Sequence, residues 1–122
     1  MLAAKYNLSN ITVIVDRNNI QIDGTTENVM PLENLQSKWS SFGWHVMEIN
    51  GNDMNAVVEA LETAKAITEK PVAILAYTIP GKGVDFMESD FHWHGIAPDH
   101  DQAKKALHEL RTLGGKIRSE HQ

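Results

Sequence analysis

The chain contains no cysteine, so a disulfide framework, a thiolate zinc site and a thiol nucleophile are excluded together. It has no excess of positive charge. Eleven Lys and Arg stand against 16 Asp and Glu, a formal net charge of −5, and this argues against the basic surface that nucleic-acid binding normally requires. No apolar run approaches the roughly 20 residues that cross a bilayer, and the N-terminus lacks the layout of a signal peptide. Internal repeats and low-complexity tracts are also missing. A soluble protein of the cytoplasm, bound to neither nucleic acid nor membrane, is expected. What is present is 122 residues, 42% apolar and 22% charged, a globular composition at the length of one domain.

Two kinds of apolar pattern alternate along the chain. Ile11-Thr12-Val13-Ile14-Val15 is a β-branched run that stops at Asp16-Arg17-Asn18-Asn19. With no polar alternation, it reads as a strand buried on both faces of a parallel sheet. His45-Val46-Met47-Glu48-Ile49 and Pro71-Val72-Ala73-Ile74-Leu75-Ala76-Tyr77 read as two more strands, the second with Pro at its first position, where no ladder donor is missed. Between them the spacing is helical. Pro31 suits a first turn, Leu35, Trp39 and Phe42 recur at helical intervals, and Gly43 offers a stop. Ala56, Val57, Ala60, Leu61, Ala64 and Ile67 form a stripe opposite Glu59, Glu62 and Lys65, with Asn52 or Asp53 as cap. A last helix is expected from about Asp99, carrying Ala103, Ala106, Leu107, Leu110 and Leu113 before Gly114-Gly115. Strand, helix, strand, helix, strand predicts an α/β layered parallel sheet with right-handed crossovers. Leu2-Ala3-Ala4-Lys5-Tyr6 reads as the last turns of a helix, and a sheet of three parallel strands is small. The expectation is a piece of a larger α/β assembly.

Ligands of open α/β sheets bind beyond the carboxyl ends of the strands. Two segments at such ends are rich in polar and small residues, Asp16 to Gly24 and Thr78 to Gly83 with its continuation to Gly95. In the first, an Asn amide oxygen and a main-chain carbonyl two residues later form a plausible half-shell for Mg²⁺, which takes oxygen ligands. Both are uncharged, so a carboxylate must come from elsewhere. Turn chemistry explains the same Asn pair, because Asn tolerates the left-handed region. In the second segment His92-Trp93-His94 without a thiolate reads as surface or supporting residues more readily than as a metal site, and Gly81-Lys82-Gly83 describes many turns. Asp16 and Asp23 are accounted for by turn and strand-end roles and are not assigned acid–base work.

The run from Ile11 to Gly24, Ile-Thr-Val-Ile-Val-Asp-Arg-Asn-Asn-Ile-Gln-Ile-Asp-Gly, resembles the closing half of the thiamine-diphosphate motif of transketolases, especially the split, two-subunit bacterial and archaeal kind. Further blocks follow in family order: Trp39-Ser40-Ser41-Phe42-Gly43-Trp44-His45-Val46, Gly51-Asn52-Asp53, Lys70-Pro71, Gly81-Lys82-Gly83-Val84 and Trp93-His94-Gly95. The resemblance covers nearly the whole chain and implies that residues 1–122 are the C-terminal portion of a thiamine-diphosphate-binding (PP-type) domain. It implies that Asn18 ligates Mg²⁺ through its side chain and Ile20 through its main-chain carbonyl. Ile22 falls against the cofactor ring, and Pro80, just before Gly-x-Gly, approaches the diphosphate, which the amides of Gly81-Lys82-Gly83 would also face. His94 stands beside the diphosphate and the substrate, where it would orient and protonate sugar hydroxyls.

The family's opening Gly-Asp-Gly, whose Asp is the charged Mg²⁺ ligand, is not among these residues, nor is the pyrimidine-binding domain. The resemblance therefore implies a transketolase that moves a two-carbon ketol unit between sugar phosphates, active only when assembled with the missing segment and other transketolase subunits. Affinity for thiamine diphosphate and Mg²⁺ should be low without them. A non-catalytic interaction module keeping the family fold is the reading from another class. Membership of a different thiamine-diphosphate enzyme, such as a deoxyxylulose-phosphate synthase, is a nearer alternative, against which Trp-His-Gly favours transketolase.

Overall fold

In a computed structural model, residues 1–112 are described. The elements run α1 (Leu2–Lys5), β1 (Thr12–Arg17), β2 (Ile20–Gln21), β3 (Gly24–Thr25), α2 (Thr26–Val29), α3 (Leu35–Ser41), β4 (His45–Asn50), α4 (Met54–Ala66), β5 (Val72–Tyr77), a 3-10 turn at Phe91–His94, and α5 (His100–Thr112). They fall into two units, residues 1–18 with 30–78 and residues 19–29 with the chain from 79 onward. Among the described residues no helix is long and apolar enough to cross a membrane.

The first unit is the expected parallel α/β sheet, in the order β1-β5-β4. The last strand in sequence lies in the centre, with Val72–Tyr77 paired in parallel to Thr12–Arg17 on one side and to His45–Asn50 on the other. Central position explains its composition. Val72, Ala73, Ile74, Leu75 and Ala76 are all buried, as a strand covered on both faces requires. Helix α4 lays Ala60 and Ala64 on Val72 and Ile74, with Met47, Ile49, Leu61 and Ile67 around them. The predicted α4 stripe is thus the one that packs, while Glu59, Glu62 and Lys65 are exposed. Asp53 supplies the cap, its side chain accepting from the Asn55 N–H at 3.0 Å.

Two expectations are corrected here. The Ile11–Val15 run is not a doubly buried strand. β1 lies at the sheet edge with Thr12, Ile14 and Asp16 exposed, Ile14 at 54%. The unbroken β-branched run encodes strand propensity, and position in the sheet decides burial. The helix after Pro31 begins only at Leu35, because the Asn34 side chain caps it by accepting from the Ser37 N–H at 2.8 Å. Its predicted stop holds. Gly43 sits at φ +85°, and a Cβ there would come within 2.9 Å of the Ala4 Cβ. Beyond it Trp44 meets Trp39 edge-on, with centroids 4.9 Å apart.

The second unit holds the two-residue-a-strand antiparallel hairpin β2–β3, the single turn α2, the 79–99 segment and α5. Asp99 caps α5 reciprocally: its side chain accepts from the N–H groups of Asp101 and Gln102, and the Gln102 side chain accepts from the Asp99 N–H. This is the capping-box arrangement, so the predicted start holds. Of the predicted stripe, Ala106 is buried while Leu107 and Leu110 are about half exposed. Leu113, Gly114 and Gly115 lie outside the described residues.

Ile14 and Ile74 are register partners on neighbouring strands, yet one is exposed and the other buried. Ile74→Ala is expected to lower the unfolding free energy by about 3 kcal/mol through lost transfer energy and a residual cavity, and Ile14→Ala by less than about 1 kcal/mol. Urea denaturation of both variants checks this, and equal losses would contradict the burial described.

Candidate functional site

Parallel pairing puts the carboxyl ends of β1 and β5 side by side. The pairing ends at Arg17 opposite Tyr77, and the Thr78 N–H reaches the Arg17 carbonyl at 3.4 Å. Two short segments therefore leave the sheet together, Asp16-Arg17-Asn18 from β1 and Tyr77-Thr78 from β5. Asp16 accepts a very short hydrogen bond from the Thr78 hydroxyl at Oδ1. At Oδ2 it accepts from the Asn18 side-chain N–H at 3.5 Å. The next strand contributes through Gly51, whose N–H donates to the Tyr77 carbonyl at 2.7 Å. A Cβ on Gly51 would lie 2.6 Å from the Thr78 methyl, so only glycine admits Thr78 in this place.

Between Asp16 and Asn18 the chain turns Arg17 to the opposite face, where it is buried at 4% exposure. Its guanidinium donates from both Nε and Nη2 to Glu33 Oε1, at 3.2 and 2.7 Å, and Glu33 Oε2 accepts from the Leu35 N–H at 3.4 Å. The pair fastens the end of β1 to the start of α3. The Arg17 hydrogen bond, followed by that of Leu35, holds the Glu33 carboxyl below its ordinary pKa. Nearby, the Tyr77 hydroxyl donates to Glu48 Oε1 at 2.7 Å, and that bond pushes the phenol up and keeps it neutral.

Of the residues predicted to bind, Asn18 belongs to the first unit, and Ile20, Ile22, Pro80 and His94 to the second. Asn19 takes the left-handed conformation at φ 63°, and its carbonyl accepts from the Thr26 N–H at 3.0 Å, closing the hairpin that opens at Ile20. Ile22 stands in the turn of that hairpin at 62% exposure, an apolar side chain available to a ring. Pro80 lies in the tight turn that the Lys82 N–H closes on the Ile79 carbonyl at 3.2 Å, and its own carbonyl accepts from the Ser89 N–H at 2.9 Å. His94 ends the 3-10 turn, exposed, beside Trp93, whose indole N–H donates to the Phe86 carbonyl at 3.0 Å.

The Gly81-Lys82-Gly83 amides depart from expectation. The Lys82 N–H donates to the Ile79 carbonyl and the Gly83 N–H to Glu88 Oε1 at 2.9 Å, so two of the three amides close their own turn instead of facing a diphosphate. The glycines are needed for the backbone: Gly81 has φ +70°, and a Cβ on it would meet Met87 at 2.7 Å. His92 is occupied too, with Nδ1 2.6 Å from Asp90 Oδ1. The His92 backbone N–H and then its ring hold the Asp90 carboxyl below its usual range.

Among the described residues no three His, Asp or Glu side chains gather as a metal cluster. The donor set that fits a hard cation is of another kind. The Asn18 amide has its nitrogen end on Asp16. An amide oxygen at Asn18 and a main-chain carbonyl at Ile20 are each donors of the kind that Mg²⁺ takes. Sequence reasoning named Asn18 but not the groups that hold it. Thr78 is the first residue after β5, and only the strand register shows that it meets Asp16. The partnership of Arg17 with Glu33 spans 16 residues and has no local signal.

Residues 1–114 match the family model described as transketolase, thiamine diphosphate binding domain. The chain is 36% identical over 121 residues to an apulose-4-phosphate transketolase subunit of Phocaeicola vulgatus, covering 99% of this chain and 43% of that protein. It is 40% identical over 114 residues to a 6-deoxy-6-sulfo-D-fructose transketolase subunit of a Clostridium species, covering 93% and 42%. The crystal structure of transketolase from Campylobacter jejuni superposes with a TM-score of 0.83 at 34% identity, over 90% of this chain and 17% of that one. The chain thus spans less than half the length of these relatives.

Glu33 gives the site region a pH signature. Its folded pKa lies below the unfolded value of about 4.3, so the Arg17 pairing stabilises above that range and its contribution disappears as pH falls through the folded pKa. The stability difference between wild type and Glu33→Gln is expected to be widest at neutral pH and to close on acidification. A difference in denaturation midpoint that does not change with pH would contradict the pairing.

Proposed function

The chain belongs to the transketolase family through its thiamine-diphosphate-binding domain, and from that premise we propose that it is one part of an enzyme that transfers a two-carbon ketol unit between ketose and aldose phosphates. The observation that carries this reading is the Asn18 amide at the carboxyl end of β1, with its nitrogen end on Asp16, inside the block Asp16-Arg17-Asn18-Asn19-Ile20. Mg²⁺ would be held by the Asn18 side-chain oxygen and the Ile20 carbonyl, two uncharged ligands. The neutralising carboxylate comes from a Gly-Asp-Gly segment outside these 122 residues, so the chain is read as the C-terminal portion of its domain. Thiamine diphosphate, when bound, supplies the carbon nucleophile that accepts and releases the ketol unit.

This chain's own residues bind and orient. Ile22 offers its exposed side chain to the cofactor ring, and Pro80 approaches the diphosphate from its turn. His94 contacts the substrate and orients it by donating a hydrogen bond from its ring to a sugar hydroxyl. The names of two relatives support an anionic sugar as substrate, since one carries a phosphate and the other a sulfo group. Other transketolase subunits are the expected partners, since both of these relatives are named as subunits of a transketolase and not as the whole enzyme.

The test is reconstitution. The chain is combined with a polypeptide carrying the Gly-Asp-Gly segment and with the pyrimidine-binding subunit, supplied with thiamine diphosphate and Mg²⁺, and assayed for ketol transfer. Activity is expected in the mixture and not in the chain alone, and a folded but inactive mixture would count against the reading. Asn18→Ala should raise the Mg²⁺ and cofactor needed for half-maximal activity by about tenfold or more, on the scale of a lost ligand or supporting group. An unchanged requirement would remove Asn18 from the site.

A further inference from the structure

An asparagine amide has two ends of nearly the same shape, and only the oxygen end can ligate a cation. An Asn ligand therefore needs something that tells the ends apart before the metal arrives. A carboxylate does this, because when ionised it accepts hydrogen bonds and donates none, so it takes the nitrogen end alone. Asp16 stands in that relation to Asn18, its Oδ2 3.5 Å from Asn18 Nδ2. The contact is at the long end of hydrogen-bond distances.

The carboxylate is itself held. Its other oxygen takes the Thr78 hydroxyl, and Thr78 is locked by its backbone N–H on the Arg17 carbonyl and by the absence of a side chain on Gly51. The Thr78 methyl fills the space at Gly51, while its hydroxyl is on Asp16. Three strand ends thus combine to fix one amide: Gly51 after β4, Thr78 after β5 and Asp16 in β1. On the reading of Asn18 as a metal ligand, we propose that Asp16, braced by Thr78, is a positioning residue that sets the Asn18 amide with its oxygen toward the metal. It acts through Asn18, as the outer partners of metal ligands do.

The experiment is an NMR measurement on the full ¹⁵N-labelled chain without metal. The Asn18 side-chain amide signals are identified by their loss in Asn18→Ala. In the wild type the two Asn18 amide protons are expected to differ in shift and to exchange more slowly than those of exposed asparagines. In Asp16→Ala they move to the values of exposed asparagines, and in Thr78→Val they move the same way by less. Thr78→Ser, which keeps the hydroxyl, restores the wild-type signals. Asn18 signals that stay in place in Asp16→Ala, with a native backbone spectrum, would overturn the proposal. If Asp16→Ala does not fold, Thr78→Val against Thr78→Ser decides in the same way. In the reconstituted enzyme, Asp16→Ala is expected to raise the Mg²⁺ needed for half-maximal cofactor binding about tenfold, with the loss recovered by raising Mg²⁺. A loss that saturating Mg²⁺ does not recover would overturn it, since Asp16 would then act on the bound group directly. Because the NMR arm needs neither metal nor partner, it stands apart from the reading of Asn18, which fails separately if Asn18→Ala leaves the cofactor requirement unchanged.

Discussion

The register of β1 against β5 is the constraint on which the candidate site depends. Thr12 opposite Val72 and Arg17 opposite Tyr77 leave Asp16 and Thr78 adjacent as the strands end, and from that adjacency the orientation of Asn18 follows. A side chain alternates faces every residue along a strand, so a shift of one position would carry Thr78 away from Asp16 and turn Arg17 out of its buried pairing with Glu33. The register is in turn held by the core. β5 is buried along five of its six residues, and α4 locks Val72 and Ile74 in place. Packing at one end of the sheet thereby becomes precision at the other.

β1 is an edge strand among the described residues. A β-branched strand with Ile14 exposed and one side unpaired among the described residues is the kind of edge that folded proteins usually cover. Chains related to this one are more than twice as long. On the proposed reading the two metal donors are uncharged, and a diphosphate with Mg²⁺ would need a carboxylate from another segment.

The three strands, α4 with its cap, the Gly43 stop and the start of α5 were legible because each rests on a local rule: β-branched runs, a helical stripe, an Asp cap, a left-handed glycine. What was not legible depends on pairing at a distance. The unbroken run at Ile11–Val15 looks like a central strand, and nothing within it says that β5 takes the centre. The delay of α3 to Leu35 comes from Asn34 outcompeting Pro31 as a start. The expectation that the Gly81-Lys82-Gly83 amides face a diphosphate did not foresee Glu88, five residues on, which takes the Gly83 N–H. Asn18 itself was reached through a family resemblance, since its spacing alone reads more readily as turn chemistry.

On the proposed reading, a neutral half-site completed by a charged half would retain cofactor only where the two are brought together. Its most direct test is a crystal structure of the assembled enzyme grown with thiamine diphosphate and Mn²⁺, in which the metal is located by anomalous scattering. The account predicts the Asn18 side-chain oxygen and the Ile20 carbonyl within about 2.0–2.3 Å of the metal, with a carboxylate from a segment beyond these residues completing the shell. A metal bound with Asn18 turned away from it would contradict the account.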